Sequence, residues 1–462
     1  MGRSRRSPQR NPGKTPGRGA LKMSKARWHA NQELVELFQA VGKALLLNDM
    51  EDSHCGNIAM LWTNDQDEEY LAITSTGSQK GDLDAGQICF LSTTDTDYGY
   101  YKASSETDIH ARILSLPGTR ASIHAHTKDL TIMTYDDEDK PNHPPSFIPI
   151  DPLGYYPLDT ELPVDWVAVP SGSAAMTQVI PDRLAIHPAT MIQGHGTFVK
   201  GQNLREALFR VCLANNSGYI ARLAGRLGID VPGLRTQIKN DPPAFFAYPP
   251  PVYSAYGSEP SHFLEEEEIE SEFLKTGARI FESHLSPFHT GSISVRGVQT
   301  MLYAPKASMP RELGGPLLEV PLAPNGSQET EIAIHRKIYA HSQFQTILHC
   351  YVPEAEVMAR FIPPGESRPL ERVIPIDAEG SFLYLVVPIL PAKHNFDTFI
   401  KLLHDYKVVI VRGGGVWGVG SQSLSEVLHH PSSVREICLY RFGAMERGLN
   451  LASLEPKQSK NW

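Results

Sequence analysis

Cysteine is scarce in this chain. Five residues in 462 (Cys55, Cys89, Cys212, Cys350, Cys438) are scattered, with no Cys-x-x-Cys pair. A disulfide framework is thereby excluded, and the pattern reads as reduced thiols in an intracellular, cytoplasmic protein. No apolar run approaches the length of a bilayer, so no membrane partner is expected. The N-terminus lacks the apolar core of a secretory signal. Acidic residues are missing from the first 32 positions, which hold nine Lys or Arg, although the whole chain carries a net charge of -9. The opening segment, residues 1–30, is therefore expected to be a disordered basic tail rich in Arg, Ser, Pro and Gly. It reads as an unselective leader, or as sequence ahead of a start at Met23, before it reads as a nucleic-acid or targeting tail. Nucleic acid is accordingly not an expected partner of the folded part. Apolar content of 41% and charged content of 21% suit a globular protein, and the length suits two domains.

The stretch from Ser104 to His126 organises the rest. Ser104, Ser105 and Glu106 open a helical pattern continued by Ile109, Ile113 and Leu116. A serine cap followed by an acid marks a helix start, and a helix start suits an anion. His124 and His126 stand two apart on an expected strand, so both imidazoles point to one side and can share an ion. Upstream, Leu34, Leu37, Phe38, Val41, Ala44 and Leu45 predict an amphipathic helix ending near Asn48. Strands are expected at Met60–Trp62 and Tyr70–Ile73, the second running into Thr76 and Gly77. Downstream, a strand at Met191–Gln193 enters Gly194-His195-Gly196, and a long helix runs from Leu204 to Leu227.

The ordered pieces Gly56-Asn57-Ile58, Thr76-Gly77, Ser104-Ser105-Glu106-x-x-x-His110, His124-x-His126 and Gly194-His195-Gly196 resemble the class II aldolase/adducin family, including its L-fuculose-phosphate aldolase-like enzymes. The resemblance covers about residues 31–228. It implies an α/β fold in which a mostly antiparallel central sheet is flanked by helices. It implies a divalent metal, zinc by preference, on His124, His126 and His195; three imidazoles leave an open coordination position. Glu106 takes the place of the family's acid/base, and Asn57, Thr76, Gly77, Ser104 and Ser105 take the places of its phosphate cradle. His110, one turn after Glu106, reads as structural support. The proton donor to the aldehyde oxygen is often a tyrosine from a neighbouring subunit, and Tyr155 and Tyr156 are the candidates here. The implied reaction is cleavage or formation of a C–C bond in a sugar phosphate through a zinc-stabilised enediolate. Epimerisation, decarboxylation or dehydration at the same site, or an adducin-like binding role without metal, are the competing readings.

The chain then repeats itself. Residues 277–293 parallel 42–58, Glu331, His335 and His349 parallel Glu106, His110 and His124, and Ile374-Pro375-Ile376-Asp377 parallels Ile148-Pro149-Ile150-Asp151. In the second copy Tyr351 stands at the place of His126, Ser292 at that of Asn57, and Gly413, Gly414 and Gly415 at that of His195. Glu329 and Thr330 replace the serines. The expected organisation is a tail (1–30), a metal-binding domain (31–230), a Pro- and aromatic-rich linker (231–262), a degenerate domain acting as scaffold (263–450) and a short tail (451–462). Family members resembling this chain are commonly four-fold tetramers, so two fused pairs imply a homodimer forming a pseudo-tetramer.

Overall fold

The computed structural model describes residues 32–51, 54–92, 102–135, 146–167, 172–240, 267–323 and 330–456. The basic tail, the acidic loop 136–145, most of the linker, Glu329 and the last six residues lie outside the described part, as does the side chain of Thr330.

In the first half, eight strands form one sheet: β1 (Asn57–Thr63), β2 (Glu69–Thr74), β3 (Ile88–Leu91), β4 (Ala121–Ala125), β5 (Ser146–Phe147), β6 (Leu162–Asp165), β7 (Ala189–Ile192) and β8 (Gly196–Gly201). Their order is β3-β2-β1-β4-β8-β7-β6-β5, and every pairing is antiparallel except β6 with β7. Seven helices accompany them: α1 (Gln32–Leu47), α2 (Thr107–Leu114), α3 (Lys128–Thr134), α4 (Pro152–Tyr155), α5 (Ala174–Ile186), α6 (Leu204–Arg226) and α7 (Val231–Asn240). Strand alternation sorts the two faces. Ile123 and Val199 point into the core beneath α1 and α6, whereas Phe198 packs with Ile109, Ile113, Met176 and Ile180 of α2 and α5. His124, next to Ile123, therefore faces the side on which α2 begins.

The second half repeats this plan. Its strands are β9 (Ser292–Arg296), β10 (Thr300–Pro305), β11 (Leu318–Pro321), β12 (Thr346–Cys350), β13 (Arg372–Val373), β14 (Val387–Leu390), β15 (Val408–Val411) and β16 (Gly415–Gly420). Their order, β11-β10-β9-β12-β16-β15-β14-β13, is the same order shifted by eight. Even the register agrees: Asn57 pairs with His124 in one sheet and Ser292 with His349 in the other. The helices are α8 (Glu267–Glu282), α9 (Thr330–Ala340), α10 (Pro353–Arg360), α11 (Ala378–Leu383), α12 (Phe396–Tyr406), α13 (Leu424–Glu446) and α14 (Leu451–Leu454). Two tandem α/β units of one topology are thus present, each a mostly antiparallel sheet flanked by helices, as the resemblance implies. Residues 231–240, expected as linker, instead form α7, because Val231 and Ile238 find apolar cover.

The largest apolar cluster runs through both halves. The long helix α6 packs on α10 of the second half, and Pro152 at the start of α4 lies against Gly413. Tyr219 donates to Glu354 at 3.0 Å, Arg226 pairs with Glu446 at 2.7 Å, and Arg205 donates to the carbonyls of Leu313 and Gly314.

Candidate metal centre

The centre lies where β4, the turn between β7 and β8, and the start of α2 converge. Strand β4 delivers His124 at its end and His126 just beyond it. The third imidazole comes from the tight turn Gly194-His195-Gly196, in which the His195 N–H donates to the Ile192 carbonyl at 3.0 Å. Both glycines are required. Gly194 has φ 70°, in the left-handed region where side chains are strained. A Cβ on Gly196 would stand 2.5 Å from the Ala125 carbonyl oxygen and 2.9 Å from His124 Cε1. The sequence Gly-His-Gly is therefore what allows His195 to lie over His124, with ring centroids 4.7 Å apart and planes 3° from parallel.

One nitrogen from each of His124, His126 and His195 lies within 4.8 Å of the others, close enough to hold a single ion. Tautomers follow from the partners. His124 Nδ1 donates to the Thr197 carbonyl at 3.1 Å, which leaves Nε2 with its lone pair toward the centre. Burial drives the His124 pKa well below the usual imidazole value, and the neighbouring His195 and His126 push the same way while Glu106 opposes. The ring is thus neutral at physiological pH, as a ligand must be. Phe198 stacks on His124 at 4.0 Å and walls the centre on the sheet side. The donor set, three imidazoles with a carboxylate alongside, fits a borderline cation such as zinc.

Glu106 points at this cluster. Its two oxygens lie 3.1 Å from His195 Nε2 and 3.7 Å from His124 Nε2, and only 2% of the residue is exposed. Helix α2 starts at Thr107 with Glu106 in the cap position, rather than with a serine cap; the Ser104 hydroxyl instead accepts from the Glu106 N–H at 3.2 Å. Asn57 donates to Glu106 Oε2 at 2.9 Å, and its carbonyl oxygen meets His110 Nε2. His110 is wholly buried, is anchored on Ser122 at 3.0 Å, and has its pKa pushed down to about 4 by burial. His110 is therefore a neutral prop that fixes Asn57, which in turn fixes Glu106. The Asn57 side chain is thus engaged with the acid rather than turned toward an anion.

The other residues expected to form a phosphate cradle gather nearby. A bridge between Ser75 and Ala103, with Thr76 Oγ1 donating to the Ala103 carbonyl at 3.0 Å, sets Thr76 and Gly77 beside Ser104 and Ser105. Thr76, Gly77 and Ser105 are exposed, so the rim is open to a ligand. Tyr155 and Tyr156 stand at the end of α4, with their rings 5.1 Å apart. Helix α4 packs on α6, Tyr155 is buried, and Pro152 touches Gly413 of the second half. A different tyrosine flanks the centre: the Tyr135 ring lies 3.6 Å from the point a Cβ on Gly194 would occupy, and the residue is 60% exposed. Its only signal in the sequence is its place directly after an apolar helix that follows the His-x-His pair.

The second half has the frame without the donors. His349 Nδ1 is 2.6 Å from Glu331, Ser292 bonds both Glu331 and His335, and Trp417 stacks on His349 at 4.1 Å where Phe198 stacks on His124. Tyr351 and Gly413–Gly415 supply no imidazole. The space between them and Pro152 is a cavity of about 20 Å³, too small for a sugar.

Comparison with known proteins agrees with this duplication. The family model described as Class II Aldolase and Adducin N-terminal domain matches residues 36–221 and again residues 271–440. Among solved structures the chain is similar to L-fuculose-1-phosphate aldolase from Thermus thermophilus, at 24% identity over 42% of this chain and 95% of that one, with TM-score 0.37. YgbL from Klebsiella pneumoniae matches at 22% identity over 41% and 88%, with TM-score 0.36. A sugar-phosphate aldolase from Thermotoga maritima matches at 20% identity over 40% and 92%, with TM-score 0.34.

Proposed function

The chain belongs to the class II aldolase and adducin family, and on that premise we propose that its first half is a metal-dependent lyase that cleaves or forms a C–C bond in a sugar phosphate, with the second half as scaffold. The observation that carries this reading is the convergence of three imidazole nitrogens within 4.8 Å beside a buried, oriented carboxylate. His124, His126 and His195 would hold the ion, with zinc the preferred occupant. When bound, a divalent cation supplies Lewis acidity toward negative charge developing on substrate oxygens.

Glu106 accepts and returns the proton at the carbon next to the substrate carbonyl, and the Asn57–His110 pair keeps its carboxylate aimed. Thr76, Gly77, Ser104 and Ser105 receive the phosphate, whose dianion suits hydroxyls and peptide N–H groups at a strand end and a helix start. Tyr135, beside the centre, exchanges a proton with the aldehyde oxygen: it gives one to that oxygen when the C–C bond forms and, as phenolate, takes one from the hydroxyl when the bond breaks. Free buried thiols at Cys212, Cys350 and Cys438 support a cytoplasmic location. No helix among the described residues is long and apolar enough to cross a membrane.

Exposure supports a dimer. Val357 on α10, which packs on α6, is fully buried, whereas its counterpart Ile132 on α3 is 51% exposed. Conversely Ile220 on α6 is 2% exposed, and its counterpart Tyr440 on α13 is 56% exposed. The contact between halves is head-to-tail, so it leaves one copy of each face uncovered. A second chain in the same relation covers both and gives a pseudo-four-fold ring. In that ring α11 of the partner subunit stands beside the metal centre as α4 stands beside Gly413.

The test is an assay of the zinc-loaded chain against a panel of ketose phosphates, reading aldehyde release. Release from at least one phosphorylated ketose, and none from its unphosphorylated form at equal concentration, is expected. Epimer formation, decarboxylation or dehydration in place of aldehyde release would contradict the lyase assignment.

A further inference from the structure

Lys80 is 2% exposed, an unusual place for an ammonium. Its Nζ donates to the carbonyl of His54 at 2.8 Å and to that of Ser78 at 2.9 Å. The two carbonyls belong to different arms of the site. His54 leads through Gly56 to Asn57, the residue that holds Glu106. Ser78 closes the turn that carries Thr76 and Gly77, and its hydroxyl donates back to the Ser75 carbonyl at 2.8 Å. The third arm, Ser104–Ser105, is tied to the same turn by the Thr76 hydroxyl and by the Ser104 N–H on the Thr74 carbonyl. One buried cation thus joins two of the three arms from behind, on the side away from solvent.

The second half is an internal control. A Cβ on Gly42 would strike the Lys80 carbonyl, and a Cβ on Gly277 would strike the Ala307 carbonyl, which makes Ala307 the counterpart of Lys80. There the two arms are joined by backbone bonds, Ala307 N to Gly291 O at 3.0 Å, Ser308 N to Thr290 O at 3.1 Å and His289 N to Ser308 O at 2.7 Å, and by the Ser308 hydroxyl, which donates to the Ser286 carbonyl at 2.7 Å. The fold therefore closes this region without a lysine. The ammonium sits in the copy that keeps the three histidines and is missing from the copy that lost them.

We propose that Lys80 is a positioning residue for the anion end of the site: it sets the spacing of the Gly56–Asn57 and Thr76–Gly77 arms and places a fixed positive charge behind the turn, so that a phosphate dianion is preferred to an uncharged hydroxyl. The inference rests on the reading that the substrate is a sugar phosphate. It differs from a direct phosphate contact, since Lys80 Nζ donates to two backbone carbonyls and acts through the arms to which they belong.

The experiment is calorimetric titration of the zinc-loaded full chain with inorganic phosphate, for the wild type, Lys80→Met and Lys80→Gln. Lys80→Met is expected to keep its metal content and to bind phosphate roughly tenfold more weakly, the scale of one lost charge-assisted contact. Lys80→Gln, which keeps donors but not charge, should fall between. On a phosphorylated substrate KM should rise while kcat stays within about threefold, a split that loss of packing alone would not produce. Equal phosphate affinity in wild type and Lys80→Met overturns the assignment of Lys80 alone. A wild-type chain that binds no phosphate overturns the sugar-phosphate reading beneath it as well. If Lys80→Met does not fold, Lys80→Gln carries the same readouts, and failure of both to fold makes Lys80 a structural residue.

Discussion

Asp151→Asn tests the junction between the halves. Asp151 caps α4, its Oδ2 accepting from the Gly154 N–H at 2.8 Å, and it is 2% exposed. Burial raises its pKa from 3.8 to about 6; bonds from Ser217 and Gly154 oppose the rise, and Glu356 of the second half adds to it. A carboxyl whose folded pKa is raised binds its proton more tightly in the folded state. Its ionisation therefore penalises folding progressively as pH rises from 3.8 through about 6. At 1.36 kcal/mol for each tenfold change in proton affinity, the penalty above pH 6 is about 3 kcal/mol. Asparagine caps helices as well as aspartate does and carries no charge. Asp151→Asn should thus be more stable than wild type by up to ~3 kcal/mol at pH 8, by about half that near pH 5, and not at all below the ordinary carboxylate range. Urea unfolding of both proteins at a series of pH values gives the difference directly. A difference that stays constant with pH would show that Asp151 is not a penalised buried carboxylate, and a loss of stability at every pH would refute the cap argument too.

Glu106→Gln should keep metal content and melting temperature but lower turnover by about a hundred- to ten-thousandfold, measured by steady-state kinetics; a near-wild-type rate would reassign the proton shuttle. Gly196→Ala places a methyl against the Ala125 carbonyl and the His124 ring, so it should weaken metal binding and lower stability by roughly 1–3 kcal/mol, read by competition with a chelating dye and by thermal unfolding. Tyr440→Asp puts a charge on the exposed face of α13 and should convert the proposed dimer to a monomer of about half the mass in sedimentation, while a wild type that is already monomeric would remove the ring model.

The duplication was legible because it is carried by motifs in fixed order. His124 lies at the end of strand β4 and His126 follows two residues on, just past the strand, and a turn between glycines presents His195. Periodicity likewise exposed α1, and a run of good helix formers exposed α6. What escaped depends on contacts far apart in the chain. Asn57 looks like an anion ligand by type and place, yet its amide is taken by Glu106, 49 residues on. Tyr155 and Tyr156 read as candidate donors from their place in the chain alone, and the packing of Pro152 on Gly413 directs α4 toward the second half. Lys80 sits in a polar turn where a lysine is ordinarily solvated, and nothing local reveals that two backbone carbonyls enclose it. Tyr135 borders the acidic loop and carries no pattern at all.

The central claim is that one half of a duplicated chain keeps a metal centre. It is tested most directly by elemental analysis of the purified full-length protein. The account predicts about one divalent ion per chain, lost in His126→Ala and unchanged in Tyr351→Ala. Two ions per chain, none in a protein prepared without chelators, or full metal content in His126→Ala would contradict it.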